Sequence, residues 1–310
     1  MSLDMHLPFF SVVIPTYNRA STIYPALLSV QNQTFKDFEC IVVDDGSTDH
    51  SELLRVVSEL NDPRFKVIWR ENGGGGAARN TGIDAAVGHW IAFLDSDDQF
   101  STEKLEETYR VINNSTQKSV ICSYIEVDRG DGIKFIKPHR SPKENENIAK
   151  YLMSDRGFIQ TSTMAVENGF AKQIKFDPDL PFSQDTDFCV RLWAAGAKFK
   201  MIEYPLVFWN DMPSAARVSS NKKSEALETW LENIRETAGA SAYWGYKGWH
   251  IAKLLRRDSF WRPLSFWLVA VLRGSYSVKL AATVFLQVFL SEPAYRSLSD
   301  FLVKKFRAKV

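Results

Sequence analysis

FSVVIP (10–15), CIVVDD (40–45), FKVIWR (65–70), WIAFLD (90–95) and SVICSYI (119–125) are short runs of β-branched, aliphatic and aromatic residues within the first 126 positions. Their near-continuous apolar character fits strands covered on both faces, as in a parallel sheet. Helical patterns separate them, at roughly 21–32, 50–60, 77–86 and 102–114. Ser101 or Thr102 is expected to cap the last helix, with Glu103, Glu106 and Glu107 in its first turns. Repeated strand–helix–strand units predict an α/β fold built on an open, doubly wound, mostly parallel sheet flanked by helices. In such sheets the ligand sits at the carboxyl ends of the strands.

The loops at those ends carry the chemistry. PTYNR (15–19) follows the first strand, Asp44-Asp45-Gly46-Ser47 the second, ENGGGGAARN (71–80) the third and Asp95-Ser96-Asp97-Asp98 the fourth. Asp45 can accept from an imide N–H such as that of uracil, or Asp44 and Asp45 can cap the helix beginning near Asp49. Glycines 73–76 allow a close backbone approach to a ligand. Arg79 faces a phosphate or pairs with Asp95. Three carboxylates in four positions, Asp95, Asp97 and Asp98, repel one another and would repel a nucleotide. A hard cation such as Mg²⁺ or Mn²⁺, held by one or two carboxylates and a substrate diphosphate, resolves both problems.

Charge divides the chain. Residues 221–310 carry a net +8 and the preceding 220 a net −7, so the two regions are expected to meet different partners. Cys40, Cys122 and Cys189 are far apart, without a CxxC pair. That predicts buried thiols in a reducing compartment, not a disulfide frame or zinc site. The N-terminus shows no signal-peptide pattern, and a cytoplasmic location is expected.

SVVIPTYNR, VVDDGSTD, NGGGGAARNTGI and IAFLDSDD together, in this order and spacing over residues 10–100, resemble the nucleotide-sugar-binding half of the family 2 inverting glycosyltransferases with the GT-A fold. The resemblance implies a uridine pocket of Pro15, Thr16, Tyr17 and Asp45, continued by Asn72, Gly74 and Arg79. Asp95-Ser96-Asp97 would be the metal and ribose motif. Asp97 is then the direct metal ligand and Asp95 lies nearer the ribose, with Asp98 sharing either role. A nucleotide-diphospho-sugar donor, a glycan or lipid-linked acceptor, and Mn²⁺ or Mg²⁺ follow from the same likeness.

Inverting transfer needs a carboxylate that takes the acceptor hydroxyl proton and is not itself a metal ligand. In PFSQDTDFCVRLWAAG (181–196) the segment resembles the family's Glu-Asp pair at a helix start, which makes Asp185 the base; Gln184 replaces the Glu. As an alternative, Asp185 is a first-turn acid favoured by the helix dipole, with Ser183 as cap. Asp187 and Arg191 are expected to pair at i,i+4, and Gly196 to close the helix. The family's metal-site His has no counterpart in 208–220, where Asp211 or Arg217 would contact the diphosphate instead. His89 and His139 are assigned structural or surface roles.

From 127 to 220 the pattern is irregular, with a turn at RGDG (129–132) and an extended run in 151–166. Residues 1–220 are taken as the catalytic domain, divided at 126 into donor and acceptor halves. Residues 221–310 form a basic helical extension with five of the nine tryptophans. Arg273, Gly274 and Lys279 interrupt its apolar stretches before they reach the roughly 20 residues of a membrane span. The extension either packs on the catalytic domain or contacts an anionic membrane peripherally, at the inner face of the cell membrane. No nucleic-acid motif is present. Other readings are a sugar nucleotidyltransferase and a non-catalytic nucleotide-sugar-binding protein. The former normally carries its glycine-rich loop after the first strand, not the third.

Overall fold

A computed structural model describes residues 7–114, 118–130, 132–211 and 222–307. They form two compact units: one holds the chain through Val127 with Ile136–Ser141 and Ile159–Asn210; the other holds Asp128–Phe135, Pro142–Phe158 and the chain from Asp211 onward. The division is therefore not one cut near residue 220. The segments 128–135 and 142–158 join the C-terminal helices.

In the first unit β1 (Phe10–Thr16), β2 (Phe38–Asp44), β3 (Phe65–Trp69) and β4 (Trp90–Phe93) lie in the order β3-β2-β1-β4. All three pairings among them are parallel. Val12, Val13 and Ile14 of β1 and Ile41, Val42 and Val43 of β2 are fully buried, as a sheet covered on both faces requires. Beyond β4 the sheet turns antiparallel through β8 (Ala165–Glu167) to β6 (Ser119–Asp128), then β9 (Lys198–Asn210) and β5 (Asp98–Phe100). A short β7 (Lys134–Lys137) pairs with β6. The sheet is mixed, with its parallel half where the apolar runs predict it.

The connecting helices are α1 (Tyr24–Gln31), α2 (His50–Ser58), α3 (Gly74–Ala85) and α4 (Lys104–Ile112). Neither Ser101 nor Thr102 caps α4: Glu103 occupies the cap position without a side-chain cap bond, and Thr102 Oγ1 donates to Glu103 instead, at 2.7 Å. The extended run expected within 151–166 is confined to its end, in β8. The start of the segment completes α5 (Ile148–Met153), capped by Asn147, and its middle is a single 3₁₀ turn at Thr161–Thr163 before β8. The RGDG turn is present, with Arg129 N–H donating to Ile133 at 2.9 Å; Asp131 lies outside the described residues. After α6 (Asn168–Ile174), α7 (Gln184–Ala194) ends at Gly196 in the left-handed region (φ +95°), as expected. The three cysteines are buried and in no disulfide.

The second unit is helical: α8 (Lys222–Asn233), α9 (Arg235–Ala238), α10 (Ala240–Tyr246), α11 (Ala252–Leu255), α12 (Trp261–Leu272), α13 (Val278–Phe289) and α14 (Glu292–Arg307). Ser154, after α5, ties it together: its Oγ lies 2.8 Å from the Ser241 carbonyl and 2.9 Å from that of Ser275, with its one proton shared between them.

α3 is held closely against β1. A Cβ added at Gly82 would lie 2.3 Å from Val13 Cγ1, and a β-branched Val has little rotamer freedom to yield. Gly82→Ala is expected to cost about 1–3 kcal/mol and to lower the thermal midpoint by several degrees. A wild-type midpoint would show that α3 does not press on β1 here.

Candidate active site

The parallel strands end along one edge, and side chains cross-link the four loops there. Asn18 joins the first to the second: its N–H donates to Ser47 Oγ (2.9 Å) and its Oδ1 accepts from Thr48 N–H (2.8 Å). Asp45 joins the second to the third. Its buried carboxylate accepts from the N–H groups of Gly73 (3.1 Å) and Gly74 (2.7 Å) and pairs with Arg70, while Asn72 donates to its carbonyl at 2.8 Å. Arg19 joins the first to the fourth through Asp97, at 2.7 Å. Collected from four separate loops, these residues form one rim.

Neither Asp44 nor Asp45 caps α2. Asp44 accepts from Ser47 N–H (2.9 Å) and faces His50 Nδ1 (2.5 Å). Asp49 holds the cap position without a cap bond, and its carboxylate accepts from Ala20 N–H at 2.8 Å. The glycines are set partly by the chain's own packing. α3 begins at Gly74, so three of them lie inside a helix. A Cβ at Gly76 would sit 2.8 Å from the Asp177 carbonyl, so this glycine admits the chain's own backbone. Only Gly74, at φ +85° with nothing within 4 Å of where a Cβ would stand, faces open space.

Arg79, 9% exposed, is the hinge of the site. Its Nη2 donates to Asp95 at 2.5 Å and its Nη1 to Gln184 Oε1 at 2.8 Å. The Asp95 pairing weighed from sequence is therefore present. The same guanidinium reaches the segment that starts α7. Gln184 in turn donates from Nε2 to the Leu180 carbonyl at 2.7 Å. A Glu at 184 has no donor for that carbonyl when ionised, which gives the departure from the family pattern a physical reason: the position needs one acceptor and one donor.

Asp185 follows, half-buried in the first turn of α7. Burial raises its carboxyl above the usual range; the Thr186 N–H (2.7 Å) and Arg79 oppose this, and Asp95 adds to it. Ser183 stands at the cap position in the left-handed region (φ +61°) without a side-chain cap bond. Asp187 and Arg191 form the expected pair, with Nε at 2.8 Å.

The three acids of the fourth loop are not equivalent. The Asp97 side chain is 51% exposed. Asp95 is held by Arg79 and, through its N–H, by Ser162 Oγ at 3.0 Å. Asp98 is buried and opens β5. Its Oδ2 accepts from Ser162 Oγ (2.5 Å) and Gln160 Nε2 (2.9 Å), and its buried Oδ1 has no partner. Burial and the neighbouring Asp95 push its carboxyl well up. Ser96 and Thr16 are buried, whereas Tyr17 is 49% exposed beside Pro15. No group of three or more His, Cys, Asp or Glu side chains placed to hold a metal occurs among the described residues.

Several of these contributors carry no sequence signal. Arg70, Gln160, Ser162 and the buried Lys104 are ordinary residues in sequence; Arg19 lies in the PTYNR loop but has no role assigned to it there. Lys104 Nζ donates to the Thr163 carbonyl (2.9 Å) and Ser123 Oγ (3.1 Å), and burial brings its pKa down to about 8. It supports from within the 3₁₀ turn that carries Ser162. Asp211 does not stand free for a diphosphate: it is buried in the second unit with Arg129 at 3.2 Å. Arg217 lies outside the described residues. His89 packs on Phe9, a structural role.

A mixed sheet with a parallel half, a rim of acids and a helix N-terminus at its edge define a sugar-nucleotide-type transferase fold of the GT-A kind, and the comparisons give the family. The model of glycosyl transferase family 2 matches residues 11–175, and the chain belongs to that family; it is a glycosyltransferase. The amylovoran biosynthesis glycosyltransferase AmsB of Erwinia amylovora is 32% identical over 269 residues, 83% of this chain and 88% of that one. An uncharacterized glycosyltransferase of Rickettsia felis is 30% identical over 74% of this chain but only 37% of its own length. Among solved structures, S. aureus TarS 1-349 in complex with UDP-GlcNAc superposes with a TM-score of 0.65 at 20% identity, covering 97% of this chain and 92% of that one.

Ser162 serves both Asp95 and Asp98, so Ser162→Ala is expected to cost about 1–3 kcal/mol, read by urea unfolding. Wild-type stability in the variant would show that these two hydrogen bonds are not made.

Proposed function

We propose that the chain transfers a sugar from a UDP-sugar to an acceptor hydroxyl with inversion at the anomeric carbon, with a divalent metal bound at Asp97. The acceptor is a glycan or lipid-linked glycan in cell-surface polysaccharide assembly, at the cytoplasmic face of the membrane, with the basic C-terminal region in peripheral contact with anionic lipid. The observation that carries the reading is Arg79, whose two bonds join the acidic rim to the turn bearing Asp185. AmsB, named for amylovoran biosynthesis, supports the acceptor class. TarS, solved with UDP-GlcNAc and with UDP, supports the donor class.

Pro15, Thr16 and Tyr17 would line the uridine, with the exposed Tyr17 ring offered to the base. A carboxylate offers about four acceptor positions. Asp45 uses two on Oδ1 and one on Oδ2, which leaves one for the uracil N3–H. Asn72 and Gly74 hold the loop beside it. Asp95 and Ser96 would face the ribose.

The donor set suits a hard cation only as an open site. Asp97, half in solvent with Arg19 on its Oδ2, would turn its carboxylate to the ion, and the donor's diphosphate would supply further oxygens, as Mg²⁺ and Mn²⁺ accept. Asp98 is assigned to positioning, because its Oδ2 is committed to Ser162 and Gln160 and burial favours its neutral form. When bound, the ion offsets the charge of the leaving diphosphate. Asp185 takes the acceptor hydroxyl proton; that oxygen attacks the anomeric carbon as the bond to the β-phosphate oxygen breaks, and UDP departs with the electron pair. The Thr186 N–H and Arg79 favour the ionised form of Asp185 against its burial, and Gln184 holds Arg79 in place.

Asp185→Asn is expected to lower transfer by at least about a hundredfold, the low end for loss of a general base, with metal-dependent UDP binding intact; Asp97→Ala is expected to weaken that binding itself. Near-wild-type transfer in the first variant would overturn the base assignment. Because burial raises the Asp185 carboxyl and the base must be ionised, kcat/KM should rise with pH through a midpoint above the ordinary carboxylate value of 3.8. A pH-independent acid limb would contradict it.

A further inference from the structure

α12 of the helical unit keeps an apolar stripe in solvent, and α13 beside it exposes Val278, Ala282 and Leu286. On α12, Trp261, Ser265, Leu268 and Leu272 recur at i, i+4, i+7 and i+11. They therefore share one side of the helix over about 16 Å. Trp261 is 76% exposed and Leu272 84%. Ala270 lies on the opposite side, in a buried cluster with Ala252, Ala281, Val284 and Val288. On α13, Lys279, Ala282 and Leu286 are exposed on the side away from Val284 and Val288. The two helices are fixed side by side: Trp267 Nε1 donates to the Ala281 carbonyl (3.1 Å), its ring packs on Phe285, and Phe260 packs on Phe289. Both exposed sides thus point away from one shared cluster. Single exposed apolar residues are ordinary, but a stripe continued onto an adjoining helix marks a contact surface.

Charge selects the partner. Residues 259–291 contain Arg262, Arg273 and Lys279 and not one Asp or Glu. Arg262 is matched by Glu228 at 2.8 Å. Arg273 directly follows Leu272 and lies over the Trp244 ring, and Lys279 directly follows Val278, which is 91% exposed. The turn joining the helices therefore offers two bare aliphatic side chains, each beside a cation. A two-fold contact between copies would set this cationic patch against itself, whereas anionic headgroups over an acyl layer match both features. Each helix has 12 residues, about 18 Å against a hydrocarbon thickness of about 30 Å. No described helix is long and apolar enough to cross a membrane. The geometry suits helices lying in the interface plane, with Trp261 as an anchor.

We propose that the outward face of α12 and α13, with the turn from Leu272 to Lys279, docks on an anionic lipid bilayer. This locates, and rests on, the membrane contact proposed above for the C-terminal region.

Flotation of the full chain with phosphatidylcholine vesicles, and with vesicles in which about a third of the lipid is phosphatidylglycerol, tests it. The wild type should bind the anionic vesicles, less so at high salt. Arg273→Gln with Lys279→Gln should weaken binding about thirtyfold, from about 1 kcal/mol for each charge. Leu268→Glu with Leu272→Glu should remove it, with UDP binding unchanged as a check on folding. Wild-type protein that binds neither vesicle overturns the membrane contact altogether. Variants that bind like wild type overturn this face alone. Wild-type self-association, relieved by the Leu variants in sedimentation velocity, overturns the lipid assignment and gives the face to a second copy.

Discussion

The Arg79 guanidinium sets the working geometry of this site. It is nearly buried, and an isolated buried charge is costly unless paired. Asp95 supplies the counter-charge and Gln184 the second acceptor. Both partners sit on elements far apart in sequence, the loop after β4 and the start of α7. Satisfying one cation therefore fixes the distance between the acidic rim and the turn that carries Asp185. Arg rather than Lys suits the task, because a planar fork reaches two acceptors at once.

The same logic extends outward. Asp45 spends three of its acceptor positions on the glycine turn and Arg70, which shapes the loop where a base would lie. Asp98 is spent on Ser162 and Gln160, which joins the acidic loop to the antiparallel half of the sheet. Of the crowded acids, Asp97 is the one with half its side chain in solvent. The crowding is tolerated because Asp95 is paired with Arg79 and Asp97 with Arg19, while burial favours the neutral form of Asp98.

Much of this was legible in the sequence. The apolar runs gave β1 to β4 within a residue or two, and the position of polar loops at their ends gave the rim, because burial on both faces and parallel pairing leave a strong local pattern. Less was legible where partners are distant. Lys104 opens a helix in a window that looks like solvent-facing charge, and only the fold reveals it as buried beneath the turn at Thr161–Thr163. That turn was hidden in an apparently extended run, since Thr and Ser at 161–163 favour strand and turn alike. The glycines suggested a ligand cradle, yet Gly76 serves packing against Asp177. The role of Gln184 was invisible, because an amide that bridges Leu180 and Arg79 is defined only once those two groups meet.

Of the clustered acids, Asp97, with half its side chain in solvent, is the one that would present its carboxylate to a metal shared with the donor's diphosphate. A crystal soaked with UDP and Mn²⁺, with anomalous data at the manganese edge, addresses it directly. One strong anomalous peak is expected within coordinating distance of both Asp97 and the diphosphate, with Asp98 still bound to Ser162. UDP seated on the rim without a peak there, or a peak coordinated by Asp98, would contradict it.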